Sequence, residues 1–300
     1  MQAVWMVLSA LVFSTMAVCV KFAAVYFNNA ELVFYRGLIG VVFMALFARA
    51  RGTSLVTHVL PMHIWRSVVG VLALSAWFYA IAHLPLATAM TLNYMSSVWI
   101  AAFLVGGTLM FSKAGQRIPS QGPLVLTILA SFVGVIMLLR PTMGQSQAFA
   151  GMIGLLSGLG AAFAYMQVMV LARIGEHETR TVFYFAVGTV IAGALGMAIV
   201  GVSPWDWRHA LWLLPIGLLA SLGQLCMTKA YSMSTNHGGT LMVANLQYSG
   251  IVFSAVFSLL LFGDQIPLMG WAGMALIILS AIAATVLRAR AAPNAPAQEH

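Results

Sequence analysis

The sequence predicts an all-α integral membrane protein of ten transmembrane helices, built as two inverted five-helix repeats. Three observations predict this fold class: the composition, the length of the apolar stretches and an internal repeat. Hydrophobic residues make up 62% of the 300 residues and charged residues only 7%, with a mean hydropathy of +0.97. Soluble domains carry about 25% charged residues, so the composition excludes a soluble globular protein.

Apolar stretches long enough to cross a bilayer, about 20 residues each, recur along nearly the whole chain. We interpret them as helices because the strands of a membrane barrel would alternate in character over segments of about ten residues. The predicted spans, in order, are 3–26, 31–49, 65–84, 86–110, 122–140, 150–172, 181–201, 211–232, 238–262 and 268–287.

The segments between spans are short and polar, and none is long enough to form a soluble domain. The first span lacks a basic leader and a small-residue cleavage site, so we interpret it as a retained helix. Residues 289–300, rich in Ala and Pro, are predicted to form a disordered cytoplasmic tail. Cys19 and Cys226 fall within spans without metal-ligand spacing, and we interpret them as small packing residues.

The placement of the basic residues predicts the orientation of the chain. With the N-terminus in the cytoplasm, most basic residues face inward, which follows the positive-inside rule and puts both termini inside. The net charge of +8 is therefore a signal of topology, and we expect no nucleic-acid partner. The inward residues are Arg49, Arg51, Arg66, Lys113, Arg117, Arg173, Arg180, Lys229, Arg288 and Arg290, and the outward ones are Arg140 and Arg208.

Two similar segments indicate that the chain repeats itself. "IPSQGPLVLTILASFVGVIMLLR" at 118–140 and "IPLMGWAGMALIILSAIAATVLR" at 266–288 share Ile-Pro-x-x-Gly and a closing Leu-Arg. The halves 1–140 and 149–288 would each hold five spans, and because five is odd the second half must be inserted in the opposite orientation. Inverted repeats of this kind are typical of transporters, with the binding site at mid-depth between the halves.

Three stretches carry a family pattern. In "FSTMAVCVKFAAVYFNNAELVFYR" (13–36) a lysine, Lys21, is followed fifteen residues later by an arginine, Arg36; the others are "YAIAHLPLATAMTLNYMSSVW" (79–99) and "LQYSGIVFSAVFSLLLFGDQIP" (246–267). Together they resemble the ten-helix EamA-type exporters of the drug/metabolite transporter superfamily over the whole chain. The resemblance implies that fold, a monomer in the cell inner membrane, and transport of small molecules.

Lys21, Glu31 and Arg36 are charged residues in apolar surroundings, near the outer ends of the first two helices. In one interpretation the basic side chains extend to the membrane interface and are tied to Glu31. In the other they form an outward gate, or a vestibule that attracts and receives a carboxylate. The sequence leaves both interpretations open.

Polar residues at mid-depth recur at three- and four-residue steps, so they share helix faces. Such groups either hydrogen-bond neighbouring helices or line a wet cavity. Several helices contribute them, which favours a cavity whose tyrosines suit amphipathic solutes. The candidate lining residues are Thr15, Ser75, Tyr79, Thr91, Tyr94, Ser97, Tyr165, Gln167, Gln224, Thr228, Asn245 and Tyr248.

We expect alternating-access export of amino acids, aromatic and other apolar ones included, and of related metabolites. No Asp or Glu lies in the middle third of a predicted span, which favours facilitated transport without a proton-carrying carboxylate. Without a fixed charge pair at mid-depth, we expect broad specificity, and we expect no cofactor or metal.

Two other functions stay open. One is uptake of a metabolite such as S-adenosylmethionine, because "ELVFYR" (31–36) also resembles that branch of the superfamily. The other is a membrane-embedded enzyme, although the sequence contains neither an H-E-x-x-H nor a G-x-S-x-G motif.

Overall fold

The computed structural model describes residues 2–100, 102–103, 122–139, 145–233, 243 and 245–291. Within these ranges the protein is all-α, and its ten main helices correspond to the ten predicted spans. They are α1 Gln2–Ala23, α2 Asn29–Ala50, α3 Leu60–His83, α4 Leu86–Tyr94, α5 Gly122–Leu139, α6 Gln145–Arg173, α7 Glu178–Val200, α8 Leu213–Ser232, α9 Ser249–Phe262 and α10 Leu268–Ala291. A single-turn helix, Trp207–Ala210, precedes α8.

The helices have the length and surface of membrane spans. Seven of them, namely α1, α2, α3, α6, α7, α8 and α10, are long and apolar enough to cross a bilayer. Leu72, Ile199 and Leu260 are 69%, 85% and 77% exposed. Extensive exposed apolar surface of this kind marks contact with lipid. The predicted multi-pass, all-α membrane fold is therefore confirmed.

Parts of several predictions lie outside the described residues. They are residues 101 and 104–110 of span 86–110, residues 238–242 and 244 of span 238–262, and residues 292–300 of the predicted tail 289–300.

Local sequence signals explain where the helices begin and end. α2 opens with a capping box, in which Asn28 Oδ1 accepts from the Glu31 N–H at 3.0 Å and the Glu31 carboxylate accepts from the Asn28 N–H at 2.7 Å. α9 ends at Gly263, whose φ of 61° lies in the left-handed region that favours glycine. α3 begins at Leu60, not at 65 as predicted, because Pro61 suits the first turn of a helix.

The main helix contacts form a symmetric set. α2 packs on α7, α5 on α10, α3 on α6 and α1 on α8. If a two-fold axis related α1–α5 to α6–α10, the first two pairs would map onto themselves and the last two would exchange. The observed pairing therefore supports two inverted halves, while the boundaries 1–140 and 149–288 stay a prediction.

α2 and α7 pack closely because each of them carries a glycine that faces the other helix. A Cβ atom on Gly37 would lie 2.7 Å from the Val190 nitrogen, and one on Gly193 would lie 2.5 Å from the Phe34 nitrogen. Small residues let transmembrane helices approach in this way. The close approach holds Arg36, which precedes Gly37, against α7.

Hydrogen bonds between the links define two faces of the bundle. At the N-terminal face, where α1 begins, Arg180 donates to the Ser54 carbonyl at 2.8 Å and so joins α7 to the link after α2. At the opposite face, Asn28 donates to the Gly201 carbonyl at 3.0 Å and joins the α1–α2 link to the segment after α7. The interior between these faces contains the candidate site.

Candidate functional site

A cavity lies near the middle of the bundle, where Phe13 and Gln224 are close to the midpoints of α1 and α8. Its volume is about 50 Å³, below the range of about 300–1,000 Å³ typical of small-molecule sites, so the cavity must widen to bind a solute. The lining residues are Phe13, Arg36, Arg66, Gly70, Ala73, Leu74, Trp77, Asn93, Tyr94, Ala161, Ala164, Tyr165, Phe185 and Gln224.

Two arginines dominate the chemistry of this cavity. Arg36 from α2 is 4% exposed and Arg66 from α3 is 2% exposed. Their guanidinium carbons lie 5.2 Å and 4.0 Å from the centre of the Phe185 ring on α7. The Nε atom of Arg36 and the Nε and Nη1 atoms of Arg66 are buried without a hydrogen-bond partner. Cation–π contact orients a guanidinium but leaves its donors unsatisfied.

The acidic residues of the described chain are engaged away from the cavity. The sequence has six acids, and the sixth, Glu299, lies outside the described residues. The other five bond as follows: Glu31 with Asn28 and Ser203, Glu176 with His63 and Arg180, Glu178 with Ser232, Asp206 with His209, and Asp264 with Lys21. Within the described ranges, the two guanidiniums therefore have no carboxylate to neutralise them.

Neutral side chains complete the lining. Phe13 and Trp77 meet edge to face at 6.4 Å, and the Trp77 Nε1 donor has no partner. The Tyr165 hydroxyl accepts from the Gln247 amide at 3.2 Å, and Asn93 donates to Ser157 at 3.1 Å. The cavity thus presents hydrogen-bond donors beside aromatic faces, which is the chemistry of an anionic solute with an apolar part.

Two helices break beside the cavity. α4 ends at Tyr94 and helical structure resumes at Ser96, while Gln247 and Tyr248 form a turn before α9 begins. In the predicted repeat Tyr94 corresponds to Tyr248, so the breaks fall at related positions. A side chain at Gly250 of α9 would collide with the Tyr94 ring. Discontinuous transmembrane helices of this kind commonly form transporter sites.

Four of the residues predicted to form the site or its gate line the cavity. They are Arg36, Tyr94, Tyr165 and Gln224.

Other predicted lining residues lie elsewhere, since their polar groups bond within or between helices. Thr15 and Thr91 donate to the carbonyls of Leu11 and Ala87, one turn back in their own helices. Asn245 accepts from Thr285 of α10 at 2.9 Å. Only Asn245 follows the alternative that the sequence left open, a hydrogen bond to a neighbouring helix. Thr15 and Thr91 bond within their own helices, which neither interpretation predicted.

The remaining predicted residues are also absent from the described lining. Tyr79 stacks on His83 at 4.1 Å, and Tyr248 is buried in the apolar core. Thr228 is buried, whereas Ser75, Ser97 and Gln167 are half-buried away from the cavity walls.

The interpretation that ties Lys21 to Glu31 is wrong. The Lys21 ammonium bonds Asp264 at 3.3 Å and donates to the Leu84 carbonyl at 3.0 Å. Glu31 instead caps α2 and accepts from the Ser203 hydroxyl at 2.6 Å. Lys21 and Glu31 therefore lie at the opposite face of the bundle, whereas Arg36 lies deeper and lines the cavity.

Sequence reasoning missed Arg66 and assigned it to an inward-facing position beside a link. It also missed Phe13, Asn93, Trp77 and Phe185, which are ordinary core residue types in an apolar span. The signal for Arg66 was Pro61, because a helix that begins there places Arg66 more than a turn inside the bundle. The expectation of no fixed charge pair at mid-depth is therefore wrong, because Arg36 and Arg66 are both buried at the cavity.

A helical membrane bundle with paired halves and a polar site at mid-depth has the architecture typical of membrane transporters. The EamA-like transporter family matches residues 152–286. The pseudopaline exporter CntI of Pseudomonas aeruginosa is 35% identical over 278 residues, which cover 92% of this chain and 93% of the relative. The riboflavin transporter of Rhizobium johnstonii is 28% identical over 234 residues, with coverage of 77% and 74%.

One solved crystal structure is 16% identical to this chain, and the match covers 97% of this chain and 98% of the chain in that structure. Its TM-score of 0.66 shows a shared fold alone. The chain belongs to the EamA-like transporter family of the drug/metabolite transporter superfamily.

Proposed function

We propose that this protein exports carboxylate-bearing metabolites, amino acids and their derivatives among them, from the cytoplasm by alternating access. The observation that carries the proposal is the pair Arg36 and Arg66, buried at the cavity and without a described carboxylate partner. An ionisable residue inside a membrane span is by default a functional site.

The energetics favour a ligand as the missing partner. A buried charge that lacks its partner costs about 3–5 kcal/mol, and two such charges lie beside one Phe185 ring. A solute carboxylate supplies both the countercharge and the acceptor lone pairs that the guanidinium donors lack. Cationic solutes are disfavoured for the same reason.

Export is the direction that the relatives support. The CntI proteins are named as pseudopaline exporters, so pseudopaline is a cargo to test first. We place the protein in the cell inner membrane with both termini cytoplasmic, because the positive-inside count puts most basic residues on that side.

The proposed mechanism is rocking of the two halves about the cavity without a carboxylate proton carrier. The five described acids lie at helix ends or links, away from the cavity. Transport is accordingly the proposed activity, and catalysis is not.

Counterflow in proteoliposomes tests this function. The panel comprises pseudopaline, glutamate, phenylalanine, the diamine putrescine and a neutral sugar, and we expect flux of the carboxylate-bearing solutes above that of putrescine and the sugar. Arg36→Gln and Arg66→Gln should each lower this flux at least about tenfold, because each removes a buried charge from the site. Arg49→Gln, at the exposed end of α2, is the matched control. Selective flux of putrescine, a cation without a carboxylate, would contradict the proposal.

A further inference from the structure

The buried polar atoms that line the cavity without a partner are all hydrogen-bond donors. Among the described lining residues they are the Nε atom of Arg36, the Nε and Nη1 atoms of Arg66 and the Nε1 atom of Trp77. Trp77 is 8% exposed, so its indole N–H lies within the bundle. Guanidinium and indole N–H groups cannot accept a hydrogen bond. A solute group satisfies them only if it offers lone pairs.

One face of α3 puts the Trp77 donor and the Arg66 guanidinium in the same chamber. Gly70, Ala73, Leu74 and Trp77 line the cavity and recur at steps of three and four residues, so they share that face. The Arg66 side chain also runs along it, because a Cβ atom at Gly70 would collide with the Arg66 Nη1 atom. A solute held at the guanidinium therefore lies along the face that carries the indole N–H.

The positive charge at the cavity lacks a countercharge. Both guanidiniums stay charged, because arginine does not deprotonate in proteins. Five of the six acids of the chain bond at helix ends or links, and the sixth, Glu299, lies outside the described residues. The amides of Asn93 and Gln224 in the lining have acceptor oxygens but no charge. The described site therefore complements a net negative charge.

An α-amino acid brings an ammonium to this site together with its carboxylate. A single carbon separates the two groups, so a guanidinium that binds the carboxylate also meets the ammonium. Like charges repel strongly in a weakly screening interior, and an ammonium has donors but no acceptor. The Phe185 ring already faces both guanidiniums, so it is not free for a third cation. The ammonium therefore meets cations and donors beside the carboxylate.

We infer that the site discriminates against an ammonium on the carbon next to the carboxylate, and that it selects 2-hydroxy, 2-oxo and N-acylated acids over free α-amino acids. In the selected solutes an oxygen with lone pairs takes the place of the ammonium charge, and the Trp77 indole N–H donates to it. This inference rests on the proposed export of carboxylate-bearing metabolites and ranks the members of that class.

Binding to the purified full-length protein at neutral pH tests the inference with isosteric pairs. L-phenylalanine and L-3-phenyllactate have the same number of heavy atoms and differ only in the ammonium or hydroxyl next to the carboxylate; L-leucine and L-2-hydroxyisocaproate form an aliphatic pair. We expect the hydroxy acid of at least one pair to bind about tenfold or more tightly, because like-charge contact disfavours the amino acid. Arg66→Gln should reduce this ratio, whereas Arg66→Lys, which keeps a cation, should retain a preference for the hydroxy acid.

Trp77→Phe tests the indole donor separately, because it keeps an aromatic ring and removes the N–H. It should weaken binding of the hydroxy acid about threefold or more and leave the affinity for the amino acid unchanged. Trp99→Phe is the matched control, since the Trp99 Nε1 atom is also buried without a partner but Trp99 is absent from the described lining. Equal weakening of both members of a pair by Trp77→Phe would overturn the donor role of Trp77.

Equal affinities within both pairs, or tighter binding of the amino acids, would overturn the inference. Flux of any carboxylate-bearing solute that depends on Arg36 and Arg66 in the counterflow panel would then still uphold the proposed function. Absence of binding and of flux for every carboxylate-bearing solute would overturn the inference and the proposed function together.

Discussion

Arg66 reaches the cavity because position 70 carries no side chain. Its guanidinium occupies the space that a Cβ atom at Gly70 would fill, so the positions are coupled within one helical turn. Gly70→Ala should therefore lower anion binding, although less than Arg66→Gln does, because the flexible end of the Arg66 side chain must move but keeps its charge. The measurement is the affinity for the carboxylate-bearing solute that the counterflow panel identifies, together with the melting temperature in detergent.

Gly196→Ala is the control for this substitution. Its Cβ atom would lie 2.9 Å from the Ala30 side chain, a comparably tight contact that is remote from the cavity lining. It should lower stability without changing the affinity. An unchanged affinity in Gly70→Ala would show that the Arg66 guanidinium does not need this space.

Glu176, at the N-terminal face, makes the stability of the fold depend on pH. Burial raises the pKa of its carboxyl, but hydrogen bonds from Thr57 and His63 and the positive charge of Arg180 outweigh this, so the pKa lies below its ordinary value of 4.5. A carboxyl with a lowered folded-state pKa stabilises the fold above pH 4.5, and that contribution is lost as pH falls through the folded-state pKa.

Glu176→Gln should therefore lower the melting temperature at neutral pH, by an amount equivalent to about 1–3 kcal/mol for a charged hydrogen-bonded group. The difference from the wild type should shrink progressively below pH 4.5. Thermal unfolding between pH 3.5 and 7.5 measures it, and a difference that stays constant across this range would contradict the assignment.

At the scale of the helices, one cluster ties three segments together at the opposite face. Asp264, just after α9, accepts from Lys21 of α1, from the Ser258 hydroxyl at 2.6 Å and from the Leu86 N–H at the start of α4. The Phe262 ring lies 4.7 Å from the Lys21 ammonium. We propose that this cluster closes the face, which is the gate role predicted for Lys21.

Asp264→Asn should loosen this closure, because it leaves the part-buried Lys21 ammonium without a charged partner. In a Cys226→Ser background the native Cys19, half a turn from Lys21 and 7% exposed, reports access to this region. We expect its alkylation by a small maleimide to become several times faster. Asp206→Asn, an exposed acid at the same face, should leave the rate unchanged. Equal rates in all three proteins would contradict a closing role.

At the scale of the whole molecule, the fold was largely predictable from sequence, whereas the chemistry of the site was not. Apolar length determines a span, so predicted 122–140 and observed Gly122–Leu139 nearly coincide. The partner of Lys21 lies 243 positions away and could not be found by local pattern. Arg66 was not predicted as a site residue because a basic residue near a predicted helix end usually indicates topology. Only the recognition of Pro61 in the first turn of α3 would have placed Arg66 inside the bundle.

The orientation of the whole bundle in the membrane is a further testable prediction. Val25, in the α1–α2 link, is 76% exposed at the opposite face, and Val56, in the α2–α3 link, is 67% exposed at the N-terminal face. Because basic residues concentrate at the N-terminal face, the positive-inside rule puts Val56 in the cytoplasm and Val25 outside.

Single cysteines at these two positions, in a background with Cys19→Ser and Cys226→Ser, can be labelled in intact cells with a membrane-impermeant maleimide. We expect Val25→Cys to react in intact cells and Val56→Cys to react only after permeabilisation. The reverse pattern would put both termini outside, and the outward closure assigned to Lys21 and Asp264 would then face the cytoplasm.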